Sequence, residues 1–148
     1  MREGFPERRA HCIARLTVHL VWATRNREPW LRPDVDAWLS ELLGNLCVPL
    51  GCTALAVGNA SDHVHVLAAF APTVAIASLS HRLKGANSRL LSSHLGRRIG
   101  WQAGYYAETV DDFDALAAYV RSQREHHRRT TRREPWEATF SRNGEPGQ

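Results

Sequence analysis

Two histidines separated by one valine, His63 and His65 in DHVHVLAAF (62–70), stand in an otherwise apolar run. Side chains alternate across a strand, so both imidazoles project from one face while Val64 and Val66 project from the other. Two neutral imidazole nitrogens side by side suit a divalent cation, provided that a third donor comes from elsewhere. A His-x-His alone is a short motif, and half-exposed histidines on a sheet surface account for most of them. A second pair follows in YVRSQREHH, where Tyr119 and Gln123 are four residues apart and therefore neighbours on one helix face. Gln123 offers a carbonyl oxygen to a cation, and the Tyr119 phenol, once ionised, is a competent nucleophile. Taken singly, Tyr119 reads as an aromatic at the core boundary and Gln123 as a solvated helix residue. His126 lies on the same face as Tyr119 and competes with Gln123 as a ligand or acts as a proton acceptor; with His127 it could instead meet phosphate when protonated. His19 and His81 have no evident role.

These residues need a scaffold, and the period of the apolar positions supplies one. Leu16, Val18, Leu20 and Trp22 alternate in ARLTVHLVWAT (14–24), which is a strand. Asp34 reads as an N-cap before a helix with Val35, Trp38, Leu39, Leu42, Leu43 and Leu46 on one side, stopped by Pro49 and Gly51. CTALAVGNA (52–60) and HVHVLAAF (63–70) are strands joined by a short turn at 61–62. Ile76, Leu79, Leu83, Ala86 and Leu90 mark a second helix that ends before Gly96, and Tyr105 to Val110 reads as a fourth strand. Asp111 or Asp112 caps a third helix carrying Phe113, Leu116, Ala117 and Val120, which runs on to about Arg129. The first six elements follow the split βαβ plan, so the expected fold is α+β: a ferredoxin-like antiparallel sheet, first and third strands central, two helices on one face and an extra C-terminal helix.

Length and composition are those of one domain over 1–148, with loose ends at about 1–10 and 141–148. Hydrophobic residues make up 43% and charged residues 23%, enough for a real core. Cys12, Cys47 and Cys52 form no CxxC pair, so a disulfide framework or zinc ribbon is not expected and a reducing cytoplasm fits. No apolar run is long enough to cross a bilayer, and the first residues lack the apolar centre of a signal peptide. The expected location is cytoplasmic, with no membrane partner. Net charge is +4, and of 19 basic side chains only Lys84 is lysine. Arginine's planar fork suits phosphate and base stacking, although a GC-rich genome would produce the same bias. Arg82, Lys84 and Arg89 on the second helix, with Arg97 and Arg98, are candidate phosphate contacts. Arg121 and Arg124 begin a second cluster that continues through Arg128, Arg129, Arg132 and Arg133.

Taken together, DHVHVL and YVRSQ resemble the HUH endonucleases with a single catalytic tyrosine, and more closely the small TnpA-type transposases that move bacterial insertion sequences as single-stranded DNA. HLVWATRNREPWL, LKGANSRLL and GWQAGYYAETV are similar to other segments of that family in the same order, across roughly 13–130. The resemblance implies that His63, His65 and Gln123 hold Mg²⁺ or Mn²⁺ and that Tyr119 attacks a phosphodiester, giving a 5′-phosphotyrosine and a free 3′-OH for strand transfer. It implies hairpin or single-stranded DNA as partner and a homodimer, the tyrosine helix of one subunit often serving the histidine pair of the other. The end, RREPWEATFSRNGEPGQ, departs from the family in lacking a long final apolar helix. A host-adapted or inactive relative that binds hairpin DNA without strand transfer is therefore the alternative. A metal-dependent phosphodiesterase that uses water is a third reading.

Overall fold

The computed structural model describes residues 14–129 together with 134, 136 and 137, so both expected loose ends lie outside the described residues. Four strands, β1 (Leu16–Ala23), β2 (Cys52–Asn59), β3 (His63–Phe70) and β4 (Tyr106–Thr109), alternate with α1 (Asp36–Cys47) and α2 (Ile76–Leu95). Two short helices follow, α3 (Phe113–Arg121) and α4 (Gln123–Arg129). The sheet is antiparallel in the order β2-β3-β1-β4, so the first and third strands are central as their patterning implies.

Period-2 and period-3.6 patterning meet in one layer. Val18, Leu20 and Trp22 of β1 and Val64, Val66 and Ala68 of β3 pack against Leu39 and Leu43 of α1 and Leu79, Leu83 and Leu91 of α2. Each fully buried leucine contributes about 1.5–3 kcal/mol. The opposite face is covered by α3, whose Ala117 and Val120 lie on Ala56 and Leu67. The third helix thus finds its place across the sheet from the first two. Cys47 and Cys52 are free and buried. Burial, with Cys52 alongside, pushes the Cys47 thiol up to about 12, and burial alone pushes Cys52 up to about 11, so neither is a ready nucleophile. Among the described residues no helix is long and apolar enough to cross a membrane.

Several local features differ from the sequence reading. Asp34 caps nothing: Pro33 fixes the φ of a short 3-10 turn, Pro33–Val35, and α1 starts only at Asp36 with Val35 at its N-cap. The fourth strand is shorter than 105–110. The third helix is not continuous: Ser122 leaves helical geometry (φ −105°, ψ 26°), and its N–H bonds back to the carbonyls of Ala118 and Tyr119. Its hydroxyl also donates to Ala118 O at 2.8 Å, a back-bond of the kind that bends helices. Asp112, one of the two expected caps, does accept from the Ala115 N–H at 3.1 Å. A β-bulge at Ala54/Ala56 shifts the register of β2 against β3. Before it, Cys52 and Ala54 face α1 and α2; after it Val57 does, and Ala56 and Gly58 turn towards α3.

Candidate active site

β3 runs between β2 and β1, so its outward side chains are enclosed by neighbours on both sides and by α3 above. His63 and His65 are both fully buried there, ring centroids 5.0 Å apart. His63 Nδ1 lies 2.7 Å from Asp62 Oδ1, and Arg27 Nε donates to Asp62 Oδ2 at 2.9 Å. Burial alone would raise the Asp62 carboxyl, but the hydrogen bonds and charges of His63 and Arg27 outweigh it and hold the carboxyl at about 2. A carboxylate only accepts, so Nδ1 of His63 carries a proton, and whenever the ring is neutral Nε2 presents a lone pair.

That lone pair meets another. His63 Nε2 is 3.2 Å from Gln123 Oε1. The Gln123 amide nitrogen donates to the Tyr119 carbonyl at 2.9 Å, which fixes the oxygen as the end that faces His63. His65 Nδ1 is 2.7 Å from His19 Nε2, while His65 Nε2 is buried with no hydrogen-bond partner among the described residues. Burial, reinforced by the neighbouring imidazoles, holds His65 well below its ordinary pKa and therefore neutral. Two imidazole nitrogens and an amide oxygen thus offer electron pairs in one buried spot, a donor set that fits a divalent cation or, at His63, a proton. Among the described residues no three His, Cys, Asp or Glu side chains are grouped so as to hold a metal; the further electron-pair donor beside the two imidazoles is the Gln123 amide oxygen. Neutral donors leave a bound cation most of its charge.

Tyr119 is half-buried. Its ring stands edge-on to His65 at 5.5 Å and to His126 at 5.0 Å. Burial raises the phenol above its usual pKa, so it rests protonated. Its oxygen accepts from Trp136 Nε1 at 3.2 Å. Trp136, only 2% exposed, lies across the histidines, 4.3 Å from the His63 ring and 5.4 Å from His65, with the Arg27 guanidinium 5.2 Å above it. The sequence reading did not single out Trp136; a tryptophan inside a polar tail is the signal that could have found it. His126 turns to Glu134 Oε1 at 3.0 Å, and His127 lies 4.7 Å from the His63 ring.

The approach of α3 to the sheet depends on a missing side chain. A Cβ on Gly58 would lie 1.6 Å from the Val120 carbonyl oxygen, so only glycine lets the end of α3 rest there. Arg121 donates to Leu55 O at 3.1 Å, the residue left over by the bulge. Arg124 holds Asp36 through Nε (2.5 Å) and Nη2 (2.7 Å) and donates to Leu31 O at 2.6 Å. Arg121 and Arg124, the first two of the expected phosphate cluster, therefore both bond to the protein itself, Arg121 while remaining exposed. Arg82 and Arg89 are exposed on α2. Lys84 donates to the carbonyls of Gln102 and Gly104 at 2.8 and 2.7 Å and borders a cleft of about 520 Å³ with Arg25, His81, Arg98, Trp101 and Tyr105. A Cβ on Gly85 would meet nothing, so no close backbone approach within this chain requires it. Arg128 is exposed, while the Arg129 side chain, Arg132 and Arg133 lie outside the described residues.

The chain is similar in sequence and in fold to known proteins. The family profile described as "Transposase IS200 like" matches residues 12–123. The ISDra2 transposase TnpA of Deinococcus radiodurans is 30% identical over 77 residues, 52% of this chain; the chain spans about half, 55%, of that relative's length. A crystal structure from Deinococcus radiodurans, of a protein assigned as a transposase, superposes with a TM-score of 0.66 at 26% identity, over 80% of this chain and 98% of that one. The structure of a REP-associated tyrosine transposase bound to a REP hairpin superposes with a TM-score of 0.52 at 16% identity, over 77% of this chain and 67% of that one; this likeness is one of fold.

Proposed function

Because this chain belongs to the IS200-like transposases, the family pattern covering residues 12–123, we propose that it cleaves and rejoins single-stranded DNA with Tyr119 as nucleophile. The observation that carries the reading is that His63 Nε2 meets Gln123 Oε1, that the adjoining His65 ring has an unpartnered Nε2, and that Tyr119 stands edge-on to His65, all within one chain. His63, His65 and Gln123 would hold Mg²⁺ or Mn²⁺, which as a Lewis acid supplies positive charge to a scissile phosphodiester. Asp62 keeps the His63 tautomer fixed, and the bond from Gln123 to the Tyr119 carbonyl ties the nucleophile to a ligand. Tyr119 Oη attacks phosphorus and the 3′ oxygen leaves, so the product is a 5′-phosphotyrosine with a free 3′-OH. The ester energy is conserved, and a later 3′-OH reverses the step on a different strand without ATP. His126, its ring edge-on to that of Tyr119 and braced by Glu134, would accept the phenol proton. DNA binding falls to the exposed α2 arginines, Arg82 and Arg89, and to the cleft beside Lys84. Trp136 covers the histidines and has to move before a phosphodiester can reach them.

A second reading rests on that same cover: a hairpin-binding relative in which the site is shut. One experiment separates the two. The protein is incubated with Mn²⁺ and labelled single-stranded hairpin DNA, and covalent adducts are resolved on a denaturing gel. An adduct that disappears in Tyr119→Phe supports the tyrosine mechanism. DNA binding without an adduct, under several cations, favours the binding module. Cleavage that survives Tyr119→Phe means that water is the nucleophile.

A further inference from the structure

His19 is a buried histidine with no part in the chemistry above, and the register of the sheet explains why it is there. On β1 it stands directly opposite Glu108 of β4. On its other side it is diagonal to His65, which pairs with Val21 two residues along. Cross-strand neighbours in these positions share a face and touch. A chain of hydrogen bonds results. Tyr106 Oη donates to Glu108 Oε2 at 2.9 Å; Glu108 Oε1 meets His19 Nδ1 at 2.9 Å; His19 Nε2 meets His65 Nδ1 at 2.7 Å. The two imidazoles lie edge to edge and nearly coplanar, centroids 5.0 Å apart and 16° from parallel, as an in-plane hydrogen bond between ring nitrogens requires.

The positions of the protons follow from the acceptor at the end of the chain. The Glu108 carboxylate can only accept, so His19 carries its proton on Nδ1. A neutral imidazole has one N–H, so His19 Nε2 accepts, and the proton between the rings belongs to His65 Nδ1. His65 Nε2 is then a bare lone pair, and among the described residues it is, like His127 Nε2, a buried imidazole nitrogen without a hydrogen-bond partner. We infer that His19 is a positioning residue: with Glu108 it fixes His65 as its Nδ1–H tautomer and thereby reserves Nε2 for the cation. His63 obtains the same constraint directly from Asp62, whereas His65, on the β1 side of the strand, obtains it through a second imidazole. The consequence for metal binding rests on the proposed reaction; the tautomer does not.

The test uses the full chain, free of DNA, with two readouts: ring ¹⁵N NMR of the metal-free protein and calorimetric titration with Mn²⁺. His65 of the wild type is expected as the Nδ1–H form. His19→Phe fills the space but accepts no hydrogen bond; it should shift His65 towards Nε2–H and weaken Mn²⁺ binding by about 10–100-fold. His19→Gln, whose amide can accept from His65 and donate to Glu108, should restore both. A residue that merely fills the core would show the opposite order, with phenylalanine tolerated at least as well as glutamine. Should His19→Phe fail to fold, Glu108→Ala, at a side chain 42% exposed, breaks the same chain and should move both readouts in the same direction. An Nε2–H tautomer of His65 in the wild type, unchanged Mn²⁺ affinity in these variants, or no Mn²⁺ binding by the wild type overturns the inference. A protein that behaves as expected in both readouts yet forms no DNA adduct leaves the relay standing and removes the strand-transfer reading.

Discussion

His63 Nε2 and Gln123 Oε1 are two acceptors 3.2 Å apart in a buried site. Lone pairs do not hold each other; a proton or a cation has to be shared between them for the contact to be favourable. The amide is the adjustable member, because it is neutral and its orientation is fixed by its bond to the Tyr119 carbonyl. Gln123→Glu places a full negative charge where the amide oxygen was. It should tighten Mn²⁺ by about tenfold, some 1.4 kcal/mol, while slowing adduct formation because the cation keeps less charge for the phosphate. Calorimetry and adduct kinetics check the two halves separately; Mn²⁺ affinity unmoved by the substitution would remove Gln123 from the donor set. The opening clue at this scale was legible because strand and helix periods are local: HVH puts two imidazoles on one face, and YxxxQ puts a phenol and an amide one turn apart. His19 was not legible. Its partners lie 46 and 89 residues away, and only the β1 registers with β3 and β4 make it the neighbour of both.

The elements that carry Tyr119 and Gln123 are aimed by features without a strong sequence signature. The bulge in β2 sits in CTALAVGN, where both faces of the strand are covered and apolar. With no polar residues alternating, nothing in the pattern shows where the faces exchange. Yet that exchange turns Gly58 towards α3, and the end of α3 occupies the space of its absent side chain. Gly58→Ala therefore drives the helix off the sheet rather than filling a void. With α1, α2 and the main core untouched, the variant should stay folded by circular dichroism. Adduct formation should fall by about 100-fold, as expected when a reacting group is displaced by an ångström. A fully active Gly58→Ala would mean that Tyr119 works from another placement. The break at Ser122 has no signature in the pattern either, since the apolar stripe ends with α3 and the following QREHHRR carries no period. Arg124 resolves a different ambiguity. An arginine cluster reads as a phosphate surface, but this guanidinium joins α4 to Asp36 and Leu31. Arg124→Ala should lower the melting temperature by a few degrees, about 1 kcal/mol given its partial exposure, and leave the salt dependence of DNA binding unchanged. A phosphate contact would instead reduce the salt slope by about one.

At the scale of the whole molecule, the sheet order and the two-helix layer are implied by the periodic segments, whereas the place of the third helix across the sheet is not. What the pattern could not convey was which chain's helix would cover which histidines. In this chain Tyr119 and Gln123 lie over the chain's own His63 and His65, held by three separate anchors. Gly58 receives Val120, Arg121 reaches the bulge carbonyl of Leu55, and Arg124 grips Asp36. Exchanging the helix with a second subunit would remake the same three anchors between chains, so they fix where the helix docks rather than which chain supplies it; that they are made here within one chain is the ground for expecting a site completed within one chain. The prediction concerns mixtures. Tyr119→Phe and His63→Ala each destroy one part of the site. If subunits exchange helices, a mixed pair contains one composite site with both parts intact, and mixing the two inactive proteins restores adduct formation to a substantial fraction of wild type. If the site is completed within a chain, every site in the mixture carries one lesion and no adduct appears. We expect no rescue at any mixing ratio, with labelled hairpin DNA and Mn²⁺ present and exchange promoted by co-expression. Recovery of adduct would show that α3 leaves Gly58 for a partner, and that the anchors seen here describe one resting arrangement of the helix rather than the one in which it reacts.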